Sequence, residues 1–257
     1  MAGRVLAMVI RAVGRYGCAM LDLQSRPKCS ECPIRHRAVC ARCDDDELLM
    51  LEQIKTYKSF KAGDQVLWRG DGLTYVASVV AGVASLGKTM EDGRTQMVGL
   101  LLPSDFIGRP GRETIDFDVV AVTDVTLCCF HRKPFEALIE TTPHIAQRLM
   151  EMALDELDAA RDWMLLLGRK TAREKIATFI EMLVRRQQLT IADAMDQELV
   201  LPLTRHEIAN YLGLTLETVS RQLGAMKKER IVQFVDRRRF RVTDLEALHV
   251  ASGDDCP

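Results

Sequence analysis

Five of the eight cysteines have the spacing of residues that could hold a metal centre. The segment Cys29-x2-Cys32-x7-Cys40-x2-Cys43 is dense in thiols, and Cys128 lies far along the chain. Thiolates are soft ligands that bind zinc, iron–sulfur clusters or copper(I). The residues around the first four cysteines are Lys, Arg, Glu and His, so these cysteines do not follow a core pattern. We therefore expect metal or redox chemistry rather than disulfide bonds.

Two kinds of centre fit this spacing. The four cysteines between Cys29 and Cys43 could supply all the ligands of a zinc ion, although the loop between the two pairs is shorter than zinc ribbons usually have. A four-iron cluster instead needs four thiolates at the corners of a cube. A Cys-x2-Cys pair, one further local cysteine and the remote Cys128 would meet that need, with either Cys40 or Cys43 as the third ligand.

The other Cys residues, and the His residue near the cluster of cysteines, are weaker candidates for metal ligands. His36 lies inside the cysteine loop and is a possible ligand. Cys129 should point to the opposite strand face from Cys128, because side chains alternate along a strand, and we interpret it as structural. Cys18 and Cys256 are interpreted as incidental thiols.

The composition describes a chain long enough for two domains. Its 257 residues are 47% apolar, which allows a sizeable core. There is no uncharged apolar run of about 18 residues, and Arg11 and Arg15 follow the short run 5–10, so we predict no membrane span, no signal peptide and a cytoplasmic protein. The sequence shows no dinucleotide fingerprint, P-loop or Ser/His/Asp constellation, so we do not expect an enzyme.

The sequence pattern in the middle of the chain is typical of a small antiparallel β-barrel. Gly63-Asp64, Gly70-Asp71-Gly72 and Asp92-Gly93 are turn signals that separate short strand-like runs. These runs are 65–68, 75–80, 83–86, 96–102, 119–122 and 125–130. Such spacing predicts a β-barrel or β-roll. An acidic start at 44–47 predicts a short helix before it.

Pro143 opens a long helical stretch that Gly168 can end. Apolar residues recur there at steps of three and four, which is the pattern of a coiled-coil seam. They are Met150, Ala153, Leu157, Ala160, Met164 and Leu167. A second apolar line can pack back on the barrel, and two apolar faces on one helix predict a dimerisation helix. Acidic residues beside the seam predict weak repulsion between paired helices; they are Glu151, Asp155, Asp158 and Asp162.

Residues 203–223 carry the strongest local pattern, a helix-turn-helix. Thr204 and Glu207 have the capping-box spacing, Gly213 permits a sharp turn, and Thr215 can cap the second helix. That helix would expose polar side chains on its N-terminal half, where a recognition helix meets base edges. The candidate DNA contacts are Arg205, Thr215, Glu217, Thr218, Ser220 and Arg221.

The segment after the helix-turn-helix is basic. Residues 231–235 and 239–242 predict the two strands of a wing, and 201–241 contains nine Lys/Arg and four Asp/Glu, whereas the whole chain has a net charge of -1. A local excess of positive charge suits contact with phosphates. We therefore predict double-stranded DNA as a partner.

The run from Tyr211 to Arg221, YLGLTLETVSR, resembles the winged-helix motif of the CRP/FNR superfamily of transcription regulators, and its Glu-x-x-Ser-Arg arrangement resembles the FNR branch. The segment 121–128 and the pattern Cys128-x-Phe130-x-Arg132-x-x-Phe135 resemble the FnrL/FnrN subgroup of alphaproteobacteria. The order of elements from about residue 46 to 248 is similar to that of the superfamily.

This resemblance implies a mixed α+β fold in four parts. Residues 1–45 would be a cysteine-rich, cluster-binding segment, and 46–142 a cupin-like β-roll sensor domain similar to a cyclic-nucleotide-binding domain. Residues 143–168 would be the dimerisation helix. The C-terminal part, 169–257, would be the winged helix-turn-helix domain.

Carried over residue by residue, the resemblance implies that Cys29, Cys32, Cys40 and Cys128 bind a [4Fe–4S] cluster under low oxygen. The cluster would promote homodimerisation and binding to the palindrome TTGAT–four bases–ATCAA, and oxygen would act as the signal that reverses both. RNA polymerase is an implied partner, reached through barrel loops that include 90–93. The best-known FNR proteins have five residues between the second and third cysteines and this chain has seven, so Cys43 stays open as a substitute for Cys40.

A small-effector regulator of the cyclic-nucleotide type is the alternative, beside a zinc-containing one. CRP relatives hold a cyclic phosphate with a Gly-Glu and an Arg-Ser/Thr-Ala cassette in the barrel. The corresponding stretch here, 106–118, contains Asp116 and Asp118. Carboxylates are poorly suited to an anion, which disfavours this alternative.

Overall fold

The computed structural model describes residues 28–186 and 198–253. Its N-terminal half contains the strands β1 (Lys55–Phe60), β2 (Gln65–Leu67), β3 (Tyr75–Ala81), β4 (Ala84–Thr89), β5 (Thr95–Leu101), β6 (Phe106–Ile107), β7 (Asp118–Ala121) and β8 (Val125–His131). They form two four-stranded sheets, ordered β1-β8-β3-β6 and β2-β7-β4-β5, whose pairs are antiparallel. The apolar residues between the sheets form one core. This confirms the predicted β-roll.

All six strand-like runs seen in the sequence form strands, but the patterns did not predict β1 and β6. The sequence of β1, KTYKSF, has too few apolar residues for a clear strand signal, and β6 has only two residues. Pairing with β8 fixes β1, because Thr56 lies opposite Cys129 and Tyr57 opposite Cys128. The register of β1 therefore decides which of its side chains share a face with Cys128.

The helices of the described residues are α1 (Asp45–Ile54), α2 (Arg132–Thr141), α3 (Pro143–Arg169), α4 (Ala172–Arg186), α5 (Arg205–Leu212), α6 (Leu216–Lys228) and α7 (Leu245–Ser252). The predicted acidic start of α1 is confirmed. Two of its residues also form a capping box. The backbone N–H of Glu47 donates to Asp44 at 2.9 Å, and the Glu47 carboxylate accepts from the backbone N–H of Asp44 at 2.9 Å. None of these helices is both long and apolar enough to cross a bilayer.

The C-terminal half packs around its own apolar core. Strands β9 (Leu199–Val200), β10 (Val232–Phe234) and β11 (Arg239–Val242) form a sheet ordered β10-β11-β9, and β10 and β11 are the predicted wing. The core buries Leu166 near the end of α3 together with side chains of α4, α5 and α6. The long helix is therefore anchored in the helix-turn-helix domain.

The two halves also contact each other directly. Arg186 at the end of α4 pairs with Asp105 of the β-sandwich at 2.8 Å, and the Gln96 side chain of β5 donates to the backbone carbonyl of Asn210 at 3.2 Å. Met97 and Leu100 of β5 pack against the C-terminal core. An interface with polar and apolar contacts thus holds the helix-turn-helix domain against the sandwich.

Candidate metal centre and DNA interface

The cysteine segment folds over the outer face of the sheet that contains β1 and β8. It begins with a short 3₁₀ turn, Cys29–Glu31, and its apolar residues Ile34, Ala38 and Val39 are buried. Cys29, Cys43 and Cys128 are buried in this cluster, and Cys32 and Cys40 pack against it partly buried. The structure thus brings all five candidate thiols to one region, although Cys128 is distant in sequence.

Arg35 organises the turn that carries the last two local cysteines. Its guanidinium donates to the carbonyl oxygens of Cys40, Ala41 and Cys43 at 2.6, 3.0 and 2.7 Å. One planar donor group therefore satisfies three acceptors and fixes the backbone between them. This clamp gives the seven-residue loop between Cys32 and Cys40 a defined path.

The candidate ligands differ in the groups that shift the pKa of each thiol. Burial raises the pKa of Cys128 well above its usual value, and the nearby thiols of Cys32, Cys29 and Cys40 raise this pKa further. Burial raises the pKa of Cys40 to about 11, with added repulsion from Cys32 and Cys29 that is partly offset by Arg35. These four residues form one interacting group.

Cys43 has different neighbours. Burial raises its pKa to about 12, and the groups that raise this pKa further are Cys40, Glu47 and Asp44. Cys40 is the thiol among these neighbours. Cys40 therefore interacts with Cys29, Cys32 and Cys128, whereas carboxylates are prominent among the neighbours of Cys43. Metal binding would have to displace the protons of these thiols, because the thiolate is the ligand.

The other cysteine and histidine interpretations can be placed. Cys129 is buried in the core between the sheets, on the opposite strand face from Cys128, as predicted. His36 is exposed on the cysteine loop. Cys18 and Cys256 lie outside the described residues.

Arginine side chains connect the cysteine loop to α3. Arg42 contacts both carboxylate oxygens of Glu151, at 2.9 and 2.7 Å. Arg148 donates to the carbonyl oxygen of Arg37 at 2.7 Å. Asp158, which sits beside the predicted seam, pairs with Arg161 at 2.9 Å. The acids at 151 and 158 are thus paired with arginines, which offsets part of the repulsion expected from the sequence.

The predicted seam of α3 lies on the surface of the single chain. All six seam residues are exposed, including Met150 at 60% and Met164 at 66%. Leu154 and Leu165 are also exposed, at 55% and 56%, and were missing from the predicted seam. Exposed apolar residues along one long helix are typical of a surface that another helix covers.

The helix-turn-helix has the predicted caps and turn. Thr204 accepts from the backbone N–H of Glu207 at 3.2 Å, and Thr215 accepts from that of Thr218 at 3.2 Å. Gly213 has a φ of 63°, a left-handed conformation that favours glycine. Its turn separates α5 from α6 and lets the two helices pack against each other.

The predicted base contacts lie on one surface of α6. Glu217 and Arg221 are exposed and Ser220 is half-buried, with its hydroxyl 3.4 Å from an Arg205 donor. Thr215 is exposed and Thr218 half-buried at the start of the same helix. The side chains predicted to read DNA therefore lie together on the N-terminal half of α6.

Acidic residues hold part of the basic wing. Hydrogen bonds from Arg239 and the backbone lower the pKa of Asp236 to about 2. Glu198 pairs with Arg239 at 3.4 Å and with Arg241 at 3.0 Å. The charge count made from the sequence began at residue 201 and so left out Glu198. Two arginines of the wing, Arg239 and Arg241, therefore have a carboxylate partner that the count did not include.

A cavity of about 780 Å³ lies between the sandwich and α3, where a small effector would bind. Its walls are mostly apolar and carry both signs of charge, since Arg109 and Asp116 both line it and Glu156 interacts electrostatically with Arg186. Asp118 accepts from the backbone N–H of Arg69 at 2.9 Å and is committed to the sandwich. Charges of both signs in the cavity wall give no preference for an anionic ligand.

Comparison with known proteins agrees with this architecture. Residues 57–142 match the family model described as a cyclic nucleotide-binding domain, and residues 174–250 match the Crp-like helix-turn-helix domain. A sandwich of this type, a long helix and a winged helix-turn-helix define a class of DNA-binding transcription regulators. The chain belongs to the CRP/FNR family within that class, which confirms the resemblance found in the sequence.

Similar proteins and structures cover most of the chain. It is 59% identical over 230 residues to the transcriptional activator protein FnrL of Cereibacter sphaeroides, covering 89% of this chain and 93% of that protein. It is 39% identical over 207 residues to the nitrogen fixation regulation protein FixK of Bradyrhizobium diazoefficiens, covering 80% and 86%. The solved structure of FixK2 from Bradyrhizobium japonicum has a TM-score of 0.71 at 32% identity, covering 79% of this chain and 100% of that one.

Proposed function

We propose that this protein is an oxygen-responsive transcription activator of the FNR type. Under low oxygen, Cys29, Cys32, Cys40 and Cys128 would hold a [4Fe–4S] cluster, and two chains would pair through α3 and bind TTGAT–four bases–ATCAA. The observation that carries the proposal is the convergence of the local thiols on Cys128. The relative named as an activator, at 59% identity, supports the direction of regulation.

The spacing of the thiols supports a cluster over zinc. Among the described residues, no three cysteine sulfurs all lie within 4.8 Å of one another. Sulfurs bound to one zinc ion at about 2.3 Å would lie roughly 4 Å apart. A cube of iron and sulfide spreads its thiolates more widely and can use the remote Cys128, which packs in the same cluster as the local thiols, so it suits this donor set better than one zinc ion does. When bound, the cluster would supply an inorganic centre that oxygen can destroy.

The chain's own residues would transmit the state of this centre. Arg35 holds the Cys40–Cys43 turn, Arg42 joins that turn to Glu151 of α3, and α3 ends in the core of the reader domain. Pairing of two α3 helices would present two copies of α6 to successive major grooves. RNA polymerase would be contacted by the bound dimer, including through the 90–93 loop.

The test is anaerobic purification followed by controlled exposure to air. We expect a visible absorption band that bleaches in air, together with a fall in affinity for a duplex carrying the TTGAT–four bases–ATCAA palindrome. A scrambled duplex of equal length is the control for non-specific binding. A colourless protein that binds the palindrome equally well with and without air would refute the proposal.

A further inference from the structure

A buried lysine lies beside one of the proposed cluster ligands. Lys55 is the first residue of β1, and only 5% of its side chain is exposed. Its Nζ donates to Sγ of Cys29 at 3.4 Å and lies 3.6 Å from a carboxylate oxygen of Glu52. Lysine is almost never fully buried unless it is paired. The burial of this ammonium group therefore indicates negative charge around it.

Glu52 holds the same cysteine by its backbone. The N–H of Cys29 donates to a Glu52 carboxylate oxygen at 3.2 Å, while Lys55 contacts the sulfur. Lys55 Nζ also lies 5.7 Å from the centre of the Tyr57 ring. Cys29 is thus fixed at both its backbone and its sulfur by residues at the junction of α1 and β1.

The strand register explains why Lys55 faces the thiols and Lys58 does not. Tyr57 lies opposite Cys128, and side chains two apart on a strand share a face, so Lys55 lies on the Cys128 side of β1. Lys58 is exposed on the other face, with its Nζ 3.6 Å from the centre of the Tyr75 ring. The strand therefore offers a matched pair of lysines.

A buried cation at this place would change the electronic state of the cluster. Four thiolates leave a [4Fe–4S]²⁺ centre with a net charge of about −2, and one more electron makes it more negative. A positive charge and a hydrogen bond to a ligand sulfur both favour the electron-richer state and raise the reduction potential. Glu52 opposes this effect more weakly, because 32% of its side chain is exposed and water screens its charge.

We propose that Lys55 is a positioning residue of the cluster site, which holds the Cys29 sulfur through an N–H···S hydrogen bond and raises the reduction potential of the cluster. This proposal rests on the proposed cluster function. It goes beyond that function by naming a residue outside the ligand set that tunes the centre.

The experiment is a reductive titration of the anaerobically purified full chain, followed by electron paramagnetic resonance, with iron and sulfide counted per chain. We expect Lys55→Met to take up the added electron at a more negative midpoint potential than the wild type. Lys55→Arg should restore most of the potential, because it keeps the charge. Lys58→Met should titrate like the wild type.

Each other outcome has a defined meaning. A Lys55→Met protein with a full iron complement and the wild-type midpoint potential would overturn the proposal. If Lys55→Met loses iron, recovery of iron in Lys55→Arg supports the positioning role, whereas an equally iron-poor Lys55→Arg with an unchanged circular dichroism spectrum overturns it. A wild type that holds no iron would instead refute the cluster function itself, and no defect confined to a variant can mimic that result.

Discussion

Cys40 and Cys43 lie on the same clamped turn, yet their surroundings differ. Cys40 interacts with Cys32, Cys29 and Cys128, whereas the groups that raise the pKa of Cys43 beyond the effect of burial are Cys40, Glu47 and Asp44. The sequence left these two residues as alternatives, because a spacing of seven or ten residues after Cys32 satisfies the same pattern. Under the proposed cluster function, the neighbours of the two thiols favour Cys40, and this assignment stays a prediction.

Serine substitution tests this distinction. We expect Cys40→Ser to lose most of the iron of the anaerobically purified protein, since it removes a cluster ligand. Cys43→Ser should keep iron near the wild-type level, because it removes a buried thiol that is not a ligand. Iron and sulfide analysis per chain is the measurement, and equal iron in the two variants would count against the assignment.

The DNA surface gives a second test at this scale. Arg221→Ala should cost about 1–3 kcal/mol of binding to the palindrome and relax the base preference in each half-site, since Arg can donate twice to a guanine. Arg237→Ala, in the exposed basic wing, should weaken binding to all sequences alike, as a phosphate contact would. Fluorescence anisotropy with matched and mismatched duplexes separates these outcomes. If Arg221→Ala weakens binding to matched and mismatched duplexes equally, Arg221 does not contact bases specifically.

Secondary-structure elements with strong local signals were predictable, and those that depend on tertiary pairing were not. The acidic start of α1, the capping box of α5 and the periodicity of α3 are local, and each appears where the sequence places it. Strand β1 lacks an apolar pattern and exists because it pairs with β8. Helix α2 follows β8 without a turn signal, so its start is not visible in the sequence.

The exposed face of α3 is an element-scale feature with a direct test. Leu157 is 46% exposed in the single chain and lies in the predicted seam. Leu157→Asp should shift the anaerobic protein from dimer to monomer, because pairing would bury an unpaired carboxylate. Val250→Asp is a control, since Val250 is 74% exposed on α7 outside that seam. Sedimentation velocity measures both, and a stable Leu157→Asp dimer would place the interface elsewhere.

At the scale of the whole molecule, α3 joins the cysteine loop to the helix-turn-helix domain. Its first half contacts the cysteine loop through Arg42 and Glu151, and near its other end Trp163 stacks on Tyr211 of α5 with ring centres 4.1 Å apart. A displacement of the cysteine loop can therefore reach both the seam and the DNA reader through one rigid helix.

This connection predicts a variant that separates cluster binding from pairing. Arg42→Ala should leave the iron content unchanged, because Arg42 holds no thiol. It should lower the dimer fraction of the loaded protein, because Glu151 would lose its link to the cysteine loop and keep its contact with Arg148 at 3.3 Å. Arg94→Ala is a control that breaks an exposed arginine–carboxylate pair of the sandwich, outside both α3 and the cysteine loop. Sedimentation at matched iron content is the measurement. A fully dimeric Arg42→Ala protein would show that coupling takes another route.

The convergence of the site was the least predictable feature from residues alone. Nothing in the spacing of Cys29 to Cys43 points to Cys128, and that pairing came from the family resemblance. Its physical basis is the antiparallel pairing of β8 with β1, which places Cys128 on the outer face and Cys129 on the inner face. Long-range strand register of this kind is set by the whole fold.

The central claim is tested most directly by counting iron and sulfide per chain. The measurement compares the anaerobic wild type with Cys128→Ser and Cys129→Ser. The account predicts about four of each in the wild type and in Cys129→Ser, and little of either in Cys128→Ser. A Cys128→Ser protein loaded like the wild type would contradict it, because the remote thiol would then not be part of the centre.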